Sequence, residues 1–329
     1  MQFLKNTVLA SAAATGVLRH AITRRISQPI ILMYHGVTRK QSLHGLENND
    51  GKHVAKDDFV RHLGILKQCF RTISLQEMVE GLYSGANLTN TITLTFDDGY
   101  ENNFSVAAPI LYDFKIPATF FLATGLIDKE QFIWPDLIEV ALNQTKKKEL
   151  EFEGLECKLP INSLDRKRKA LFTLKRFLKS KQMERLPEML KTLTHSLDVD
   201  LGEPQGDYRF MTWAQARSLS ASGFDLGAHT VTHPILSKIT LEIAMKEIIE
   251  SQQTVINETG KCSNTFCYPN GKSEDYNIDV RNFIKKHFRA ALSTNRGTAR
   301  FSEIDELRRL SPPQVGFGKS LEWMLLRGQ

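Results

Sequence analysis

From Pro29 onward, short runs of β-branched and aromatic residues alternate with longer stretches whose apolar positions recur at helical spacing. The short runs predict strands at Ile30–Tyr34, Thr91–Phe96, Ala118–Leu122, Phe224–Gly227, Thr265–Tyr268 and Ala290–Ser293. The periodic stretches predict helices at Phe59–Phe70, Leu75–Leu82, Phe104–Phe114, Ala214–Ser222, Ile239–Thr259 and Asp275–His287. Strand then helix, repeated, is the pattern of parallel βα units, so the fold class is α/β, and the length accommodates one barrel. No internal repeat or low-complexity tract breaks the pattern.

The rhythm stops between about 133 and 208, where a Lys-rich stretch reads as one or two amphipathic helices inserted into the barrel. Its basic run is expected to be a solvated helix face, and the insertion is expected beside the active site, because insertions in barrels lengthen loops. Residues 1–28 read as a separate N-terminal segment. Thr7 to Leu18 is short and weakly apolar, with Arg19, Arg24 and Arg25 directly after it. This pattern fits peripheral contact with the cytoplasmic membrane face or a plainly cytoplasmic chain, with export as the alternative. No run approaches the roughly 18 apolar residues that span a bilayer. Residues 29–329 then form one barrel domain.

Composition narrows the class. With 41% hydrophobic and 24% charged residues, the 329-residue chain is neither disordered, collagenous nor a disulfide knot. A net charge of +6 and a pI near 9.0 are too mild for a nucleic-acid binder. Cys69, Cys157, Cys262 and Cys267 are scattered without a CxxC pair and read as free thiols. There is no GxSxG elbow, Walker A loop or GxGxxG fingerprint. Trp134, Trp213 and Trp323 are expected to pack rather than to stack on a ligand.

The chemically active residues follow predicted strands: His35 after IILMY, Asp97 and Asp98 after TITLTF, His229 after FDLGA, and Pro269, Asn270 and Gly271 after TFCY. In a parallel barrel the carboxyl ends of all strands open on one face, so one site can hold them all. Asp98, His229 and His233 make a metal set of one carboxylate and two imidazoles, suited to Zn²⁺ with Co²⁺, Ni²⁺ or Mn²⁺ as alternatives.

TLTFDDGY (93–100), GAHTVTHP (227–234) and FCYPNG (266–271) resemble the first three motifs of the polysaccharide deacetylase family, also called NodB-homology or carbohydrate esterase family 4. The resemblance extends over about Pro29 to Pro313 and implies a distorted (β/α) barrel of the NodB type. It also implies a hydrolase that removes N-acetyl groups from amino sugars of a polysaccharide or glycolipid through a metal-activated water. By position, Asp97 matches the general base, and Asp98, His229 and His233 match the metal ligands. Asn270 falls where a backbone N–H helps to hold the oxyanion, with Tyr268 beside it as a second oxyanion or substrate contact. The alternatives are an O-acetyl esterase or non-sugar amidase of the same fold, or an inactive glycan-binding relative.

Two departures from the family pattern matter. The usual C-terminal Leu-x-His is missing, since no histidine follows His287. His35 in MYHGV is the expected replacement as the acid that protonates the leaving amine, as in the subgroup with an N-terminal YH segment. Cys267 stands where many members have an arginine that orients the base, which raises the question of whether Arg308 or Arg309 reaches in instead. A nucleophilic Cys267 is the rival reading, opposed by the inertness of a buried thiol.

Overall fold

The computed structural model describes residues 27–40, 43–313 and 321–327; the N-terminal segment, for which membrane contact, a cytoplasmic place and export were the expectations, lies, up to residue 26, outside them. β1 (Ile30–Tyr34) leads into a small parallel ladder of β2 (Gly36–Thr38) and β3 (His53–Ala55), then α1 (Lys56–Cys69), β4 (Arg71–Thr72), α2 (Leu75–Ser84), β5 (Thr91–Phe96), α3 (Ala108–Phe114) and β6 (Ala118–Leu122). The 133–208 stretch folds as α4 (Trp134–Gln144), an antiparallel hairpin of β7 (Glu149–Leu150) and β8 (Leu159–Pro160), α5 (Leu164–Lys179) and α6 (Leu186–Leu197). The chain continues through α7 (Trp213–Ala221), β9 (Asp225–Ala228), α8 (Leu241–Thr259), β10 (Thr265–Cys267), α9 (Ile278–His287), β11 (Ala290–Arg296), β12 (Leu307–Arg309) and α10 (Leu321–Arg327).

The main sheet has the order β1-β5-β6-β9-β10-β11-β12, with β4 also on β5, and every pair is parallel. Leu310, just past β12, bridges back to Leu32 of β1, with Met33 N–H donating to Leu310 O and Leu310 N–H to Ile31 O, each at 2.9 Å. The result is a distorted, nearly closed parallel barrel. Its strands are buried along their whole length in β1, β5 and β6, which is why they read in sequence as unbroken apolar runs.

Alternation along the strands sorts side chains to two faces. Ile30, Leu32, Tyr34, Phe96, Phe120 and Leu122 pack under the helices, whereas Ile31, Phe121, Cys267, Leu292 and Leu307 form another cluster with Met78 and Val79 of α2. Gly227 is required by this packing: a Cβ there would lie 2.6 Å from the Phe121 ring. The insertion carries its own core around Leu142, Leu171, Leu174, Leu178 and Leu193. Its Lys-rich stretch forms the two helices α5 and α6, separated where the chain turns at Ser180 and Pro187 opens the second in its first turn, and α4 precedes them as a third that the sequence pattern did not mark. No helix among the described residues is long and apolar enough to cross a membrane.

Candidate active site and metal centre

The strand ends deliver their polar residues to one cavity of about 480 Å³, lined among others by His35, Lys52, Asp97, Asp98, Tyr100, His229, His233 and Asn270. Parallel pairing continues past the strands and fixes these positions: Asp97 N–H donates to Tyr34 O at 2.9 Å, and His229 N–H to Leu122 O at 3.0 Å. The backbone then leaves extended geometry. Asp98, Thr230, His233 and Asn270 have φ of 73°, 64°, 56° and 59°, a left-handed conformation that non-glycine residues adopt at a cost, typically where a site requires it.

Asp98 Oδ1 lies 3.3 Å from His229 Nε2 and 3.4 Å from His233 Nε2, so three ligand atoms converge within 4.8 Å. His229 Nδ1–H donates to Cys267 O at 2.7 Å, which commits that nitrogen and leaves Nε2 as the ligating atom. Burial lowers His233 to a pKa of about 4, whereas burial at His229 is outweighed by Cys267 and Asp98, which together raise it well above its ordinary value, so the two imidazoles meet Asp98 from unlike environments. Burial pushes the Asp98 carboxyl up, but the facing imidazoles outweigh it and keep it ionised. One carboxylate and two imidazoles fit a divalent cation with coordination positions left open. Between the two histidines, Val231 N–H, Thr232 N–H and Thr232 Oγ1–H all donate to the Glu247 carboxylate of α8 at 2.8, 2.9 and 2.8 Å. Nothing local in the sequence pointed to Glu247.

Asp97 faces a fully buried guanidinium. Arg309 Nη1 donates to Asp97 Oδ1 at 2.8 Å and Nη2 to Oδ2 at 2.7 Å. Its other N–H groups go to Ser293 O at 2.8 Å, Thr95 Oγ1 at 3.1 Å and Cys267 Sγ at 3.2 Å, so all five donors of the fork are used. Burial raises the Asp97 carboxyl, yet the charge and hydrogen bonds of Arg309 hold it below the usual carboxylate range. Arg309 thus stands in for the arginine absent at Cys267. Arg308 turns outward to Glu303 at 2.8 Å. Burial pushes the Cys267 thiol up, which leaves it poorly suited to nucleophilic work.

Beside Asp97, His35 stands at the end of β1, half-buried on the same cavity. Burial pushes its pKa down while Asp98 and Asp97 pull it up, with a net lowering. Lys52 is paired with the fully buried Asp136 of α4 and donates to Tyr100 Oη at 3.2 Å, and Tyr100 O–H donates to Asp136 at 2.7 Å. Tyr268 corrects the expectation placed on it. Although it borders the cavity, its ring stacks on Tyr276 with centroids 3.9 Å apart and its hydroxyl donates to Asp305 O at 2.9 Å, so that hydroxyl is committed away from a substrate. Asn270 does border the cavity, its carbonyl accepting from Thr294 Oγ1 at 2.8 Å. Trp134 is buried in the insertion core and Trp213 packs against the helix–sheet core; the side chain of Trp323 lies outside the described residues.

A family model described as polysaccharide deacetylase matches residues 85–158 and 165–288, more than half of the chain. Among solved structures, the fold is similar to the Streptococcus pyogenes deacetylase PplD in complex with acetate: TM-score 0.59, 17% identity, 92% of this chain and 99% of that one. It is likewise similar to IcaB from Ammonifex degensii, at TM-score 0.58 and 15% identity over 91% and 97% of the two chains. A de-N-acetylase from Aggregatibacter actinomycetemcomitans gives 0.53 and 15% over 91% and 99%. No curated protein matches the chain in sequence.

Proposed function

We propose, from the premise that the chain belongs to the polysaccharide deacetylase family, that this metal-dependent deacetylase-type hydrolase removes N-acetyl groups from amino sugars of a glycan or glycolipid. The observation that carries the reading is the Asp98, His229 and His233 cluster opening on the same cavity as an Arg309-held Asp97. Hydrolysis of an amide needs an activated water, charge stabilisation at the carbonyl oxygen and a proton for the amine. A divalent cation held by the cluster, Zn²⁺ foremost, supplies Lewis acidity and a lowered pKa for water.

The chain's own residues account for the rest. Asp97, kept ionised by Arg309, accepts the proton from the attacking water. His35, at the end of the strand that neighbours the Asp97 strand, is placed to give a proton to the departing amine. The backbone N–H of Asn270 is the candidate hydrogen-bond donor to the carbonyl oxygen. Two of the similar structures support the acetyl group, the PplD deacetylase being in complex with acetate and the Aggregatibacter protein being a de-N-acetylase.

The test is acetate release from N-acetylglucosamine oligomers and from a glycolipid bearing N-acetylglucosamine, with metal added or chelated. Metal-dependent release, abolished by Asp97→Ala and lowered at least about a hundredfold by His35→Ala, is the expected result. No release from any acetylated substrate by protein with one bound metal per chain would overturn the reading in favour of a glycan-binding role.

A further inference from the structure

The insertion reaches both sides of the cavity mouth. In the strand ring, β1 and β10 are separated by β5, β6 and β9 one way and by β11 and β12 the other, so the loops that follow them rise from nearly opposite sides. Helix α5 engages both. Its Lys175 pairs with Asp50, in the loop between β2 and β3. Lys179, one turn further along, pairs at 2.7 Å with Asp275, in the loop after β10. Asp50 lines the cavity itself, and Asp275 accepts the backbone N–H of Lys272, a residue lining the other side, at 2.9 Å.

Exposed ion pairs alone hold little, but this grip has more behind it. Asp275 is buried, and Leu46 from the first loop together with Ile235, two residues past His233, sits in the same apolar cluster as Leu171, Leu174 and Leu178 of α5. A close-packed core shared by three segments holds the helix in one place.

We propose that the insertion is a fixed bar across one end of the sugar-binding cleft, so that the acetylated sugar reaching Asp97 and Asp98 is a chain-terminal one. The proposal rests on the deacetylase reading. An internal sugar must continue in both directions from the reacting residue, and on this proposal α5, tied to Asp50 on one side and to Asp275 on the other, closes one of them.

The experiment uses the full chain, an N-acetylglucosamine hexamer and a glycolipid bearing a single N-acetylglucosamine, with each lost acetyl group located by mass-spectrometric sequencing. The expected result is loss of one acetyl group per hexamer, at one terminus, with turnover of the glycolipid. Removal from internal positions at comparable rates overturns the proposal and leaves the deacetylase reading intact; no release from either substrate overturns both. A folded Lys175→Ala, Leu174→Ala, Lys179→Ala triple variant is expected to remove internal acetyl groups at least about fivefold faster than wild type. If that variant stays as strictly terminal as wild type, the block is not α5 and the proposal falls.

Discussion

Arg309 grips Asp97 with both prongs of its guanidinium, at 2.8 and 2.7 Å, in a pocket where neither side chain meets solvent appreciably. A bidentate pair of this kind fixes the orientation of the carboxylate as well as its charge. Removing the arginine leaves a buried carboxylate uncompensated. Arg309→Met is therefore expected to cost about 3–5 kcal/mol of stability. Because Asp97 then titrates higher, the acidic limb of the kcat/KM profile moves to higher pH, and Arg309→Lys restores part of the shift. A pH profile unchanged in Arg309→Met would show that Asp97 does not serve as the base.

Glu247 ties down the loop between the two histidines from α8, through Val231 N–H, Thr232 N–H and the Thr232 hydroxyl. Partners that orient ligands without touching the metal typically matter by about 10–100-fold in affinity. Glu247→Ala is expected to weaken Zn²⁺ binding in that range, measured by competition with a chromophoric chelator. Unchanged affinity in a folded variant would mean that the left-handed turn at Thr230 and His233 holds itself.

Much of this site was legible in sequence because its side chains follow strands whose apolar runs stand out. β1, β5 and β6 have the limits the apolar runs predicted, and His35, Asp97 and Asp98 come one or two residues after them. β4 and β12 left no such mark, being two and three residues long with exposed arginines at Arg71 and Arg308. For the same reason sequence could offer Arg309 only alongside Arg308: which of two adjacent residues faces inward depends on register with β11. Lys52, Asp136 and Glu247 were invisible because each finds its partners across the fold, where no local spacing records the meeting.

Burial also sets a pH dependence remote from the metal centre. His62 on α1 is buried against Tyr34, whose hydroxyl lies 3.4 Å from its Nδ1, and burial lowers its pKa from 6.5 to about 4. A depressed folded-state pKa favours the neutral ring, so this contribution to stability is whole above about pH 6.5 and is lost as pH falls toward 4. Between pH 7 and pH 5 the loss amounts to about 2 kcal/mol. Denaturant unfolding at the two pH values should show that much more acid sensitivity in wild type than in His62→Leu. Equal sensitivity would mean that the ring is protonated without penalty.

The pairing of Lys52 with Asp136 makes a last prediction, separable from catalysis by its energetics. Asp136 has no exposed surface, and Lys52 has little. Burial is also the main reason that the Lys52 pKa falls to about 8. Two charges removed from water cost several kcal/mol each, which their attraction and the Tyr100 hydroxyl offset only while both are present. Lys52→Met strands a buried carboxylate, and Asp136→Leu strands a buried ammonium, so each single change is expected to destabilise by about 3–5 kcal/mol. The double variant removes both desolvation penalties and should cost markedly less than the sum, with a coupling of about 2 kcal/mol or more. Additive costs in denaturant unfolding would show that the two groups are solvated independently. Tyr100, which borders the cavity beside Asp98, would then owe its position to aromatic packing on Phe210 and not to this ion pair.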